Sequence, residues 1–502
     1  MILYNKKASS AGELAFLILV IHNHYFEIST IMTDQKQKII LYNPPPESYT
    51  MPLALMSIAS SLDQSACDIV IIDARIEKKA HQLVIDNLDN ALCFGATILT
   101  GSGINDALEI TRLVKKKNPG IITIWGGWHC SLFPMEPLRE EPLIDITVQG
   151  QGELAFREIV DSLVLKKSLS TIKGIVWRNE EGRIIKNPAR LMDDINELPP
   201  IDYSLIDVEK YFKKKGKRQL DYISSVGCFY RCAFCADPHV FKRKFSSISA
   251  RRMGEEIEVL YKKYKFDDLN FQDETFFTYR DRVIDFVKEL IDRKIVVKWA
   301  ATMRADQGDR LTDDEFALLA KSGLRRLLVG VESGTQEMMD WLKKDIKIEQ
   351  VLATAKKCLT HKIGTQFPVI VGFPGETEEA FNKSLEFAVY LGSLSDYFDI
   401  AIFYFKPYPG SDITNRAVEQ GFKLPESLDE WDKFDYMASV SPWMSDDRFR
   451  LAENVKFYLR LSQTRRKLLF PFKQTAKFRL KKMWFNLPFE KWLKSTAKKI
   501  LG

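Results

Sequence analysis

Cysteine is scarce in this sequence, seven residues in 502, and no fourth cysteine stands near its one dense group. The seven, at 67, 93, 130, 228, 232, 235 and 358, are odd in number and mostly scattered. That argues against a secreted disulfide framework and for a reducing, cytoplasmic setting. Length is also missing from the early apolar run. FLILVI (16–21) falls well short of the ~20 residues a helical membrane span needs. No clear signal-peptide pattern accompanies it. Met32 opens MTDQKQKIILYNPPP, a natural domain start, so residues 1–35 are read as an extension without assigned function. No fixed-period repeat is visible, which sets solenoids aside. Acids are nearly absent from the C-terminal end. Residues 456–502 carry fourteen Lys and Arg against the single acid Glu490, a balance of +13, so the preceding 455 residues sum to −7. The basic character belongs to the tail.

What is present describes a globular chain with real cores, 45% hydrophobic and 28% charged, long enough for about three domains. Residues 36–165 alternate KIILYN, CDIVIID, CFGATILTG, IITIWGG and DITVQG with amphipathic stretches, the pattern of a doubly wound parallel sheet. Ligands of such sheets bind beyond the carboxyl ends of the strands, where TGSG (100–103), WGGWHCS (125–131) and QGQGE (149–153) fall. Residues 166–217 read as a connector with a small hairpin, GIVWRNEEGRIIKNP, and a proline-stiffened link. Residues 218–424 hold six further β-α repeats, predicting a partial (β/α)6, TIM-barrel-like fold with its site at the strand ends. Residues 425–502 read as a helical, increasingly basic region.

GCFYRCAFC (227–235) follows the first strand of that second series. Its cysteines, Cys228, Cys232 and Cys235, are one thiolate short of a closed tetrahedral site. Two metal readings stand. An iron–sulfur cluster would leave one iron open to an outside chelator. Zinc would take His239 as fourth ligand, in a C-x3-C-x2-C-x3-H module that the basic tail could carry onto RNA. Ligand softness favours the cluster.

The C-x3-C-x2-C spacing with Phe234 before the last cysteine resembles the signature of the radical S-adenosylmethionine (SAM) superfamily. The resemblance implies a [4Fe–4S] cluster on the three cysteines, whose open iron binds SAM and whose electron cleaves it to a 5′-deoxyadenosyl radical. An electron donor such as flavodoxin or ferredoxin is implied as well. The later strand ends carry matching positions in order. Asp273 and Glu274 in FQDETFF match the contacts to the SAM amino group, and Arg304 in WAATMR a contact to its carboxylate. Glu332 and Ser333 in LLVGVESGT match positions near ribose and methionine. Gly372 and Pro374 in VGFPGET match the segment beside the adenine.

The first domain, placed before such a barrel, resembles the cobalamin-binding domain of B12-dependent radical SAM enzymes. The resemblance implies cobalamin contacts at Ser102, Gly126, Gly127, Gly150 and Gly152, glycine allowing the backbone close approach. The D-x-H-x-x-G string that supplies a histidine to cobalt in many cobalamin proteins is absent, and His129 is read as structural. The whole implies modification of an unactivated carbon of an apolar or lipid-like small molecule, by methyl transfer or by oxidation, cyclisation or rearrangement. The tail interleaves cations with Phe, Trp and Leu. It is read as contacting an anionic membrane surface, with a helical cap on the barrel as the rival and nucleic acid set below both.

Overall fold

A computed structural model gives the structure, which describes residues 36–45, 50–434, 441–464, 469–486 and 489–491. The extension 1–35, Arg465 and Trp492 lie outside the described residues.

Five short apolar runs form the parallel strands β1 (Gln37–Asn43), β2 (Cys67–Asp73), β3 (Ala91–Thr97), β4 (Ile122–Gly126) and β5 (Ile146–Val148), in the order β2-β1-β3-β4-β5. Strands that read as near-continuous apolar runs must be covered on both faces. Two separate cores do this, one around Phe94, Trp125 and Ile110, the other around Leu41, Phe156 and Ile159. The predicted connector hairpin forms as β6 (Ile175–Arg178) and β7 (Ile184–Lys186) but does not stand apart. It pairs antiparallel with β5 and extends the first sheet to seven strands, covering an edge that would otherwise be open.

The second sheet has six parallel strands in the order β15-β14-β13-β12-β11-β8. They are β8 (Gln219–Tyr222), β11 (Asp268–Phe271), β12 (Lys298–Arg304), β13 (Leu324–Gly330), β14 (Gly364–Val371) and β15 (Phe398–Tyr404). The stretch LDYISSV, expected as one strand, is broken. The chain leaves β8 at Ser224, whose N–H and hydroxyl donate to Asp273 and whose carbonyl accepts from Arg282 and from the Ile248 N–H, which turns the chain out of the six-stranded sheet. It then forms β9 (Ser225–Gly227), paired antiparallel with β10 (Phe245–Ser247), and the cysteine loop lies between the two. An aromatic cluster of Phe271, Phe276, Phe286 and Trp299 fills the barrel core.

The C-terminal region is a cap. Helices Asp446–Ser462 and Phe470–Lys482 add Val455, Tyr458, Ala476 and Leu480 to the barrel core, and Phe485 joins them just beyond the second helix. The tail's one acid, Glu490, is buried, accepting from Arg479 at 3.1 Å and from Tyr458 at 2.9 Å. Between barrel and cap, a strap at Leu428–Asp432 crosses back to the first domain. Trp431 is fully buried against Phe133 and His129 and donates to Glu136. Asp432 accepts from the Gly103 and Asn105 N–H groups at 3.1 and 2.9 Å, capping helix Ile104–Lys117 from across the molecule.

Candidate functional site

The strand ends of both sheets open on one shared cavity of about 510 Å³. The first domain contributes Asn43 of β1 and Thr97 of β3, which flank the point where the strand order reverses. Gly126, Gly127, Gly150 and Gly152 line the same space, and the barrel contributes Gln272 and Glu274. Beside it, Trp128 meets Phe241 of the cysteine-bearing segment edge-on, ring centres 5.9 Å apart.

The glycines divide by what a side chain would meet. A Cβ at Gly150 would enter open space, and one at Gly126 would touch only Val148 at 3.9 Å, so these positions leave room in the cavity. Gly127 is different. Its φ of +91° is left-handed, and a Cβ there would lie 2.8 Å from the Ile98 N and O atoms. The tight turn itself therefore requires glycine, ahead of any ligand. Ser102 is exposed and is not among the cavity-lining residues. His129 is buried away from the cavity, and burial pushes its imidazole down to about 4.

Cys228, Cys232 and Cys235 are free thiols on the loop that leaves β9. Burial pushes the Cys228 thiol up to about 11. The loop is pinned at Ala233, whose N–H donates to Leu342 and whose carbonyl accepts from Ile413. Among the described residues, no three Cys, His, Asp or Glu side chains already stand gathered at metal-binding spacing. His239, the zinc reading's fourth ligand, lays its ring against Gly410, where a Cβ would fall 2.6 Å from it.

Next to Cys232 the barrel strands assemble a buried charged group. The β13–β14 ladder stops at Leu328 opposite Gln366, because Pro368 has no N–H to continue it, and resumes where Glu332 bridges Val369. Glu332 takes a φ of +67° there. Its carboxylate accepts from Lys344 at 2.6 Å, both side chains being almost wholly buried. The Lys344 carbonyl accepts from Arg304 at 2.6 Å, and Arg304 points another nitrogen at the Cys232 sulfur, 3.6 Å away. Its guanidinium also lies over the Tyr230 ring and pairs with Asp306. Lys344 lies 5.7 Å above the Phe234 ring, whose edge contacts Phe373. Burial weakens the charged form of Lys344, but Glu332 and Cys232 outweigh it and hold the ammonium above its usual range.

The other predicted positions are arranged differently. Asp273 is saturated by the Ser224 N–H and the Ser224 and Ser225 hydroxyls, which makes it a clasp for the β8–β9 corner. Its neighbour Glu274 lines the cavity, one oxygen buried without a partner, and burial reinforced by Asp237 pushes its carboxyl up to about 8. Ser333 is buried and bonded to Ser384. Gly372, at φ +83°, donates to Glu376 at 2.6 Å, and Pro374 is half-buried beside it. Lys344 and Tyr230 were not foreseen. Lys344 sits in KKDIK, where every neighbouring charge reads as solvated surface.

Family profiles match this chain twice: the B12-binding domain over residues 45–160 and the radical SAM superfamily over residues 222–388. The chain joins a B12-binding domain to a radical SAM domain. An uncharacterised methyltransferase of Pyrococcus horikoshii is 28% identical over 84% of this chain and 93% of its own. The anaerobic magnesium-protoporphyrin IX monomethyl ester cyclase of Rubrivivax gelatinosus is 26% identical over 81% of this chain and 72% of its own. The fold is shared with TsrM of Kitasatospora setae, a radical SAM methyltransferase solved with cobalamin and a [4Fe–4S] cluster. The TM-score is 0.68 at 15% identity, over 85% of this chain and 89% of that one. A [4Fe–4S] cluster and SAM are the cofactors that the radical SAM domain calls for, and cobalamin the one that the B12-binding domain calls for. The residues present fit them. Three soft thiols on one loop form an iron–sulfur donor set, and the cavity leaves open space at Gly126 and Gly150.

Proposed function

We propose that this protein is a cobalamin-dependent radical SAM methyltransferase acting on an unactivated carbon of an apolar small molecule. The observation that carries it is the shared cavity, walled by the glycine-rich strand ends of the B12-binding domain and by the radical SAM barrel. When bound, the cluster and SAM supply a hydrogen-abstracting radical, and cobalamin supplies a methyl donor. The chain's own residues do the rest. Cys228, Cys232 and Cys235 hold the cluster, with Arg304 and Lys344 placing positive charge beside Cys232. Phe234, Arg304, Glu332, Ser333, Gly372 and Pro374 are the proposed SAM-facing set, with Glu274 facing the cavity and Asp273 holding the corner behind it. Gly126, Gly150 and Gly152 face cobalamin, over a turn built by Gly127. Leu53, Phe156, Trp128 and Phe241 exclude water.

Anaerobic protein rebuilt with iron, sulfide and hydroxocobalamin is expected to retain cobalamin through gel filtration. Given SAM, a strong reductant and a substrate, it is expected to form 5′-deoxyadenosine and S-adenosylhomocysteine in equal amounts. 5′-Deoxyadenosine alone would instead support radical oxidation or cyclisation, which the cyclase relative favours. Loss of cobalamin on the column would remove the methyl-transfer reading.

The C-terminal region supports a second, narrower proposal. Among the described residues no helix is long and apolar enough to cross a membrane. Yet Phe470, Phe478, Trp484 and Phe489 stay 45–60% exposed among the tail's cations, although the same region caps the barrel. That pattern suits an anionic bilayer surface. Sedimentation with acidic liposomes is expected to weaken but persist as salt rises, because burial of apolar area at ~25 cal/mol per Å² is not screened. Phe478→Ser with Trp484→Ser should remove the salt-resistant part. Equal binding to neutral liposomes would count against the electrostatic half.

A further inference from the structure

The cysteine loop presents an outer face that none of the assignments above uses. From Phe229 to Arg252 the chain carries six Lys and Arg against one acid, Asp237, which is buried. This runs against the negative balance of the body as a whole. Lys242, Arg243 and Lys244 are consecutive and exposed. The first two hold left-handed φ values of +52° and +56°, in a tight turn just before β10. No acidic side chain among the described residues pairs with Lys242 or Lys244. Arg243 donates to the Phe229 carbonyl, so the cationic turn lies directly on the residue after Cys228.

Large rings form the middle of this face. Phe229 is 36% exposed and Tyr279 51% exposed. Phe245 bridges them, with ring centres 6.2 Å from Phe229 and 5.4 Å from Tyr279. Aromatic surface flanked by a cationic turn is the composition of a transient protein interface, its centre apolar and its rim charged.

We infer that this face, Phe229 and Tyr279 rimmed by Lys242, Arg243 and Lys244, docks an acidic one-electron carrier protein. The inference rests on the three cysteines holding the cluster. Cleavage of SAM consumes one electron. It leaves the carrier, which is oxidised, and enters the cluster, which is reduced. It is then taken up in breaking the sulfur–carbon bond of SAM, giving methionine and the 5′-deoxyadenosyl radical. Docking there places the carrier on the loop that bears the ligands, since Arg243 bonds the residue after Cys228. A positive face steers a negative partner toward it and raises the encounter rate by roughly 10–1000-fold at low salt.

The test compares two reductants on the reconstituted full chain: reduced flavodoxin, an acidic flavoprotein, and dithionite, a small anion that needs no docking face. Lys242→Glu combined with Lys244→Glu is expected to slow flavodoxin-driven 5′-deoxyadenosine formation at least about tenfold at low salt. The dithionite-driven rate should stay unchanged. The flavodoxin-driven rate of the unaltered protein should itself fall as salt rises. Equal flavodoxin-driven rates in variant and parent would overturn the inference, and so would an equal loss with both reductants. No SAM cleavage with dithionite in the unaltered protein would sink the cluster reading, and the docking face with it.

Discussion

Alanine at any one of Cys228, Cys232 or Cys235 is expected to lower SAM cleavage by more than about a hundredfold, beyond what loss of a merely supporting group costs a metal site. The reason is arithmetic in ligands. Three thiolates already leave one of four irons to SAM, so losing one opens a second and leaves the cluster held by two. Iron and sulfide, expected near four each per chain in the parent by the [4Fe–4S] stoichiometry, should fall together in every single variant. Burial keeps the Cys228 thiol protonated up to about pH 11 in the unloaded chain, so loading must displace protons as iron takes the sulfur. Cys358→Ala is the contrasting control. That thiol is fully buried on helix Ile348–Thr360, and its loss should leave iron content unchanged. A triple variant at 228, 232 and 235 that kept its iron and cleaved SAM would refute the assignment.

The second large effect should appear in stability. Lys344→Met strands the Glu332 carboxylate in a site where both partners are almost wholly buried, 2.6 Å apart. Breaking such a pair from one side costs about 3–5 kcal/mol. In a domain of this size that corresponds to a melting point lower by roughly 6–20 °C. Removing both charges, Lys344→Met with Glu332→Gln, should recover most of the loss, since no ion is then left unpaired. Thermal unfolding of the unloaded chains measures this without any cofactor. A single variant melting with the parent would show that the pair is solvated in solution. A double variant as unstable as the single one would show that packing, not charge, was lost.

Features carried by local sequence were legible. The cysteine loop, the strand ends bearing Glu332 and Arg304, and the glycine turns all fell where the periodicity and punctuation put them. So did both sheets, because strands covered on two faces announce themselves as apolar runs. What escaped was set by partners distant in the chain. Lys344 looks like surface charge until Pro368 interrupts a ladder and turns Glu332 toward it. Asp273 looks like a ligand until Ser224 and Ser225 fold back and occupy it. LDYISSV looks like one strand because nothing within it records that clasp. The tail's composition says nothing of the contact by which Arg479 and Glu490 bury each other, so that among the described residues one side of it caps the core.

The strap has a consequence for the order in which the protein is made. Asp432 caps the amide of Asn105 across 327 residues of chain. At a ribosomal pace of roughly 5–20 residues per second, Asn105 waits about 15–65 s for it. During that interval the core around Phe94 and Trp125 lacks Leu428 and Trp431, and no indole covers His129 and Phe133. The loop at 100–103 stays uncovered until the barrel has been synthesised and the chain has turned back. The first domain to emerge is thus closed only after every strand of the barrel has been made.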